Sequence, residues 1–117
     1  MKTFLALLAF ATTTTPAFAH SWSCDNLRNI ESSGIREQGG KLNGDVSWDC
    51  LPGDGICSVS SAVTEVKDAN GDLSYHGNNF WMVVHVSKPA SKDGYKAHLI
   101  AYDKENGFTF NTFLSCQ

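Results

Sequence analysis

Residues 80–87 alternate: Phe80, Met82, Val84 and Val86 fall on one side, Trp81, Val83, His85 and Ser87 on the other. A period of two predicts a β-strand, and apolar residues on both sides place it at the centre of a sheet. Tyr95, Ala97, Leu99 and Ala101 then alternate with Lys96, His98, Ile100 and Tyr102, and a further run carries Phe108, Phe110, Thr112, Leu114 and Cys116. Asn106-Gly107 lies between them, a dipeptide suited to the positive φ angles of a two-residue type I′ turn. That turn sets Glu105 against Phe108, Leu99 against Leu114 and Ile100 against Phe113, so turn and pattern agree.

An earlier hairpin is predicted in the same way. Val59, Val63 and Val66 precede Asn70-Gly71, and Leu73 and Tyr75 follow, which puts Val66 opposite Tyr75 and Glu65 opposite His76. Upstream, Val46, Trp48 and Cys50 share one face of a half-buried strand and Ser47 and Asp49 the other. Residues 51–55, LPGDG, read as a tight loop. From Asp25 to Ile35 two readings stand: Asp25 caps a short helix carrying Leu27 and Ile30, or residues 27–35 form an edge strand ended by Gly39-Gly40. The pattern predicts an all-β domain, a small antiparallel sandwich or barrel of about seven strands, with at most one short N-terminal helix.

Residues 1–19 follow another logic. Lys2 gives a positive start, Phe4 to Phe10 a short apolar stretch, and Ala17-Phe18-Ala19 a small-x-small cleavage pattern, so a secretory signal peptide is expected to be removed ahead of His20. The stretch is too short to span a bilayer. Cleavage takes Lys2 and leaves 117 less 19, or 98 residues, with eight Lys plus Arg against twelve Asp plus Glu. The formal net charge thus moves from −3 to −4, scattered along the chain. That balance argues against nucleic acid as a partner, since such binders concentrate cations on one face. It offers no polybasic handle for a membrane, and no lipid-anchor signal follows. Without repeats or a dividing linker, residues 20–117 read as one disulfide-stabilised domain, secreted, extracellular and monomeric.

Four cysteines allow three pairings. An exported chain favours structural disulfides over reactive thiols or zinc ligation. Pro52, Gly53, Asp54 and Gly55 let the chain reverse between Cys50 and Cys57, which favours that pair and leaves Cys24 for Cys116.

Candidate chemistry is sparse. Glu65 facing His76 could serve as acid and base in phosphodiester cleavage, but no cation is tied to them in sequence: Arg28, Arg36 and the lysines show no positional link. His20, once freed at the N-terminus, could chelate copper(II) through its amine and imidazole, with His76, His85 or His98 completing the site. Asp68, Asn70 and Asp72 match the first ligand positions of an EF-hand loop, but Leu73 and Asn79 occupy the places that need glycine and glutamate. No cofactor is implied, and no metal is the leading expectation. Trp81, beside Asn78 and Asn79, is an aromatic flanked by amides that could anchor a partner, protein or glycan.

The Trp22-Ser23-Cys24 triplet just past the cleavage pattern, with Cys116 next to the last residue, resembles the aromatic-x-Cys opening and distal cysteine of RNase-like fungal effectors. The short exported length, paired cysteines, acidic balance and aromatic β pattern are likewise similar to small secreted, cysteine-stapled fungal effector-type proteins. The resemblance implies a non-catalytic protein, a virulence factor that acts outside the producing cell or within a host by binding a host component. A secreted interaction protein is therefore expected, with a secreted RNase-like enzyme and an extracellular copper-binding domain as the alternatives.

Overall fold

The computed structural model describes residues 20–26, 30, 32–50 and 55–117. Eight antiparallel strands follow one another around a closed barrel: β1 (Trp22–Asp25), β2 (Ser32–Gln38), β3 (Lys41–Asp49), β4 (Ile56–Lys67), β5 (Leu73–Gly77), β6 (Phe80–Val84), β7 (Tyr95–Asp103) and β8 (Phe108–Cys116). No helix occurs among the described residues, and Asp25, read as a helix cap, belongs to β1. The expected leader, Leu27 and most of the LPGDG loop lie outside them.

Each strand pairs with its sequence neighbours, and β1 closes on β8. At that seam Ser23 and Gln117 exchange backbone N–H···O bonds of 3.0 and 2.9 Å. Cys24 and Cys116, one step along, form the neighbouring pair in which side chains approach most closely, with Cα atoms 4.1 Å apart, and a disulfide joins them. Cys50 and Cys57 form the second disulfide at the far end of β3 and β4. The three-way choice is thereby settled.

Alternation sorts the residues into an inner and an outer face. Ile35, Val46, Tyr75, Met82, Val84 and Leu99 are fully buried inside, and eight strands make a lumen that such side chains fill. Val46 and Trp48 face inward while Asp49 faces out, as the sequence pattern requires. Gly44 makes the packing possible on β3: a β-carbon there would lie 2.3 Å from the Phe80 ring, so only glycine lets that ring lie against the strand.

Two hairpins differ from the sequence expectation. Asp103, not Glu105, faces Phe108, so Leu99 meets Thr112 and Ile100 meets Asn111. The β4–β5 register sets Val66 against Ser74, Glu65 against Tyr75, and His76 against Thr64. In both, an aspartate at the loop entrance sets a longer loop. Asp103 Oδ1 accepts the amides of Glu105 and Asn106 at 3.0 and 3.4 Å, and Asp68 Oδ1 accepts those of Asn70 and Asp72 at 2.9 and 3.0 Å. The first shift is by two residues and keeps every face. The second is by one and exchanges them, which carries Glu65 to the inside. Two-residue turns occur instead at Gly39-Gly40, with φ of 61° and 81°, and at Asn78-Asn79.

Candidate functional site

The register of β5 to β8 lays the outward side chains in rows. His76, Trp81, Ile100 and Asn111 form one row, and Ser74, Val83, His98 and Phe113 the next. Below them the His85 amide donates to the Lys96 carbonyl at 2.8 Å, extending the ladder to a row of Asp72, His85, Lys96 and Ser115.

The middle rows carry an aromatic cluster on a surface where polar residues are the rule. The His98 ring stacks on Phe113 with centroids 4.7 Å apart and meets Trp81 edge-on at 5.5 Å. Asn111 Oδ1, 2.6 Å from His98 Nε2, fixes the imidazole between the two rings. Phe113 is 64 % exposed, the largest value among the exposed large apolar side chains, and Ile100 and Tyr102 extend the patch along β7.

The lowest row is built on a buried carboxylate. Asp72 is 4 % exposed; its Oδ1 accepts the Ser87 amide at 3.0 Å and its Oδ2 lies 2.9 Å from His85 Nδ1. Hydrogen bonds from Ser87 first, then from His85, hold its carboxyl down to about 2 from the ordinary 3.8. An ionised carboxylate only accepts, so Nδ1 of His85 carries the hydrogen and Nε2, an acceptor, has no hydrogen-bond partner among the described residues. Ser87 bonds the aspartate and not the histidine, so the three do not form a nucleophile relay. Beside this pair lies a groove of ≈ 600 Å³ lined by His85, Lys88, Asp93, Lys96, Phe113 and Ser115 among others. Among the described residues no ion pair engages Lys88, Lys96 or Asp93.

The sequence candidates distribute as follows. Trp81 stands in the cluster; Asn78 and Asn79 form the turn above it, Asn78 donating its amide to Ser61 Oγ at 2.9 Å and Asn79 accepting the Tyr102 amide at 2.9 Å. The side-chain amide that meets the rings is Asn111, 30 residues beyond Trp81 in the chain and invisible without the register. His76 and Glu65 do not face each other, since His76 is exposed outside and Glu65 turns inward. There Glu65 Oε2 accepts the Tyr75 hydroxyl at 2.7 Å and the His20 amide at 3.1 Å, and Tyr75 in turn accepts Trp22 Nε1 at 2.8 Å. Burial, then the bond to Glu65, pushes the Tyr75 phenol far above its usual value. The network satisfies the buried Trp22 and Tyr75 polar groups.

His20 Nδ1 lies 3.2 Å from Glu65, whereas His85 and His98 are on the outer face. His20 is thus apart from the outward-facing His76, His85 and His98, and no group of three or more His, Cys, Asp or Glu poised to hold a metal occurs among the described residues. Asp68 and Asp72 spend their oxygens on loop amides and His85 rather than on a shared cation site. Arg36 is paired with Asp45 at 2.9 Å on the other side of the barrel.

A second cavity of ≈ 650 Å³ opens between Trp48, Phe108 and the Cys50–Cys57 disulfide. Sequence reading missed Phe113 and Lys96 as neighbours of the histidines because each meets them only across strands, and it missed Lys88, three residues beyond His85, because it carries no motif. Compared with models of known protein families, with curated proteins and with solved structures, the chain matches none.

Proposed function

We propose that this protein is a secreted, non-catalytic binding module, effector-like in working on a component outside the cell that makes it, and that it engages its partner through the outer face of β6–β8. The leader pattern of residues 1–19 supports export, and two disulfides are compatible with an extracellular location. The observation that carries the reading is the Trp81–His98–Phe113 stack: three rings held in register, one of them open to solvent, with an amide fixing the central ring. A glycan fits this face better than a protein. Sugar rings stack their C–H faces on an exposed aromatic ring, and the neighbouring Asn111, Thr109 and His76 supply polar groups for hydroxyls. The filled lumen leaves the barrel's exterior as the working surface.

The test is capture of oligosaccharides on a glycan array by the oxidised, secreted protein, compared with Phe113→Ser. Binding of a defined glycan set, weakened at least about tenfold by that substitution, is the expected result. Binding that is indifferent to Phe113→Ser and Trp81→Ala would overturn it, and so would RNA cleavage abolished by His76→Ala or Glu65→Ala.

A further inference from the structure

We infer that the groove beside Phe113 is a site for a sugar carrying a phosphate or sulfate monoester, with Lys88 and Lys96 receiving the oxyanion, His85 Nε2 accepting a sugar hydroxyl and Phe113 stacking on the ring. The inference rests on the binding-module reading and names the chemistry of its ligand.

Four observations lead to it. First, the groove is concave, ≈ 600 Å³, and lined entirely by described residues. Second, the Lys88 and Lys96 ammonium groups on its walls have no ion-pair partner among the described residues, in a chain whose formal charge is −3 overall. Cations that merely balanced the surface would be paired or spread among acidic neighbours. Third, His85 is positioned rather than loose. Its Nδ1 is held by a 4 % exposed aspartate, which orients the ring and leaves Nε2 to accept a hydrogen bond from a ligand hydroxyl, as an outer carboxylate orients a histidine in metal and catalytic sites. Fourth, the row next to the charged one ends in Phe113, the open end of the aromatic stack, which also lines the groove. An oxyanion and a ring are therefore accommodated side by side.

Asp93 limits what can enter. Its carboxylate lines the same groove, so one compact oxyanion flanked by hydroxyls is favoured and a polyanion such as RNA or heparin is repelled. Asp72 keeps its charge behind His85, 4 % exposed, with its oxygens turned to Ser87 and His85 rather than to the ligand. Ser115, opposite Lys96 on β8, adds a hydroxyl to the lining.

Nuclear magnetic resonance titration of the oxidised, secreted protein tests the site, with inorganic phosphate, inorganic sulfate, glucose 6-phosphate, glucose 6-sulfate and glucose as probes. Saturable shifts at His85 and Lys96 are expected with both ions and both esters, the preferred ester identifying phosphate or sulfate as the source. The preferred ester should bind at least about tenfold more tightly than its free ion, and Phe113→Ser should remove that increment while leaving ion binding intact. The double variant Lys88→Ala/Lys96→Ala should lose at least about tenfold in ester affinity. Both lysines are exposed, so its melting curve should overlay that of the parent. His85→Asn, which keeps an amide N–H for Asp72 and removes Nε2, should weaken the ester likewise, and Asp93→Asn should strengthen the free ions severalfold. No saturable binding of ion or ester, or ester binding unchanged in the double lysine variant, overturns the inference. If glycan capture through Phe113 persists in either case, the binding-module reading survives and only the oxyanion site is lost.

Discussion

Tyr75 links two polar groups that the barrel would otherwise strand. Its hydroxyl accepts the indole N–H of Trp22 at 2.8 Å and donates to Glu65 at 2.7 Å, while the ring itself is fully buried. Tyr75→Phe keeps the ring and removes both bonds, leaving a buried indole donor unsatisfied. The expected cost is about 1–3 kcal/mol in urea unfolding. An unchanged midpoint would mean that water replaces the hydroxyl. Asp72 gives the second prediction, in pH rather than in urea. Its folded-state carboxyl is lowered from 3.8 to about 2, so the folded protein binds this proton less readily than the unfolded chain does. The stabilisation is therefore fully present above about pH 4 and is lost as the pH falls through about 2. Asp72→Asn should lower stability at neutral pH by about 1–3 kcal/mol and flatten this part of the acid limb. An acid limb identical in the variant would assign the acid sensitivity to other carboxylates.

At the scale of elements, alternation is readable from sequence and register is not. The strands of the C-terminal half, their inward sides and the Val46/Trp48 face all follow from a period of two. Loop length depends on which side chain captures the turn amides, and Asn-Gly dipeptides pointed to Gly71 and Gly107 when the aspartates at 68 and 103 decide. Gly107 still takes a positive φ of 65°, but as the last residue of the loop at 104–107, with Asn106 outside the left-handed region. The one-residue displacement between β4 and β5 dissolved the Glu65–His76 pair, and the His85–Lys96 row stayed hidden because the irregular segment 88–94 gives no register for β6 against β7. Asp103→Ala should therefore cost more than Asn106→Ala. The aspartate holds two amides and the Asn106 side chain at 2.7 Å, so about 1–2 kcal/mol is expected from its loss and under about 1 kcal/mol from the asparagine. Equal costs in paired thermal unfolding would return control of the hairpin to the Asn-Gly dipeptide.

For the molecule as a whole, the seam is where the barrel is thinnest. β1 and β8 share only the pairs Cys24 with Cys116 and Asp25 with Ser115, whereas β7 and β8 are in register from Tyr95 with Cys116 to Asp103 with Phe108. The seam disulfide joins residues 92 apart in sequence and the other joins residues 7 apart. In the chain-entropy account a long crosslink removes more freedom from the unfolded chain, about 4–5 kcal/mol against about 2–3 for the short one. It also holds two edge strands together, and edges released from a barrel present unpaired backbone groups. Cys24→Ser/Cys116→Ser should thus lose the larger share of stability in urea unfolding, and its β1 and β8 amides should exchange with deuterium ahead of those in β3 and β4. Cys50→Ser/Cys57→Ser should lose less and leave the seam amides protected. The Phe113 face and the groove of His85 lie on strands β6 to β8, one of which borders the seam, so opening it should also weaken ligand binding, whereas removing the distal crosslink should not. If the short crosslink proves the costlier to lose, unfolded-chain freedom does not govern this barrel, and native packing of Trp48 and Phe108 beside Cys57 would have to supply the difference.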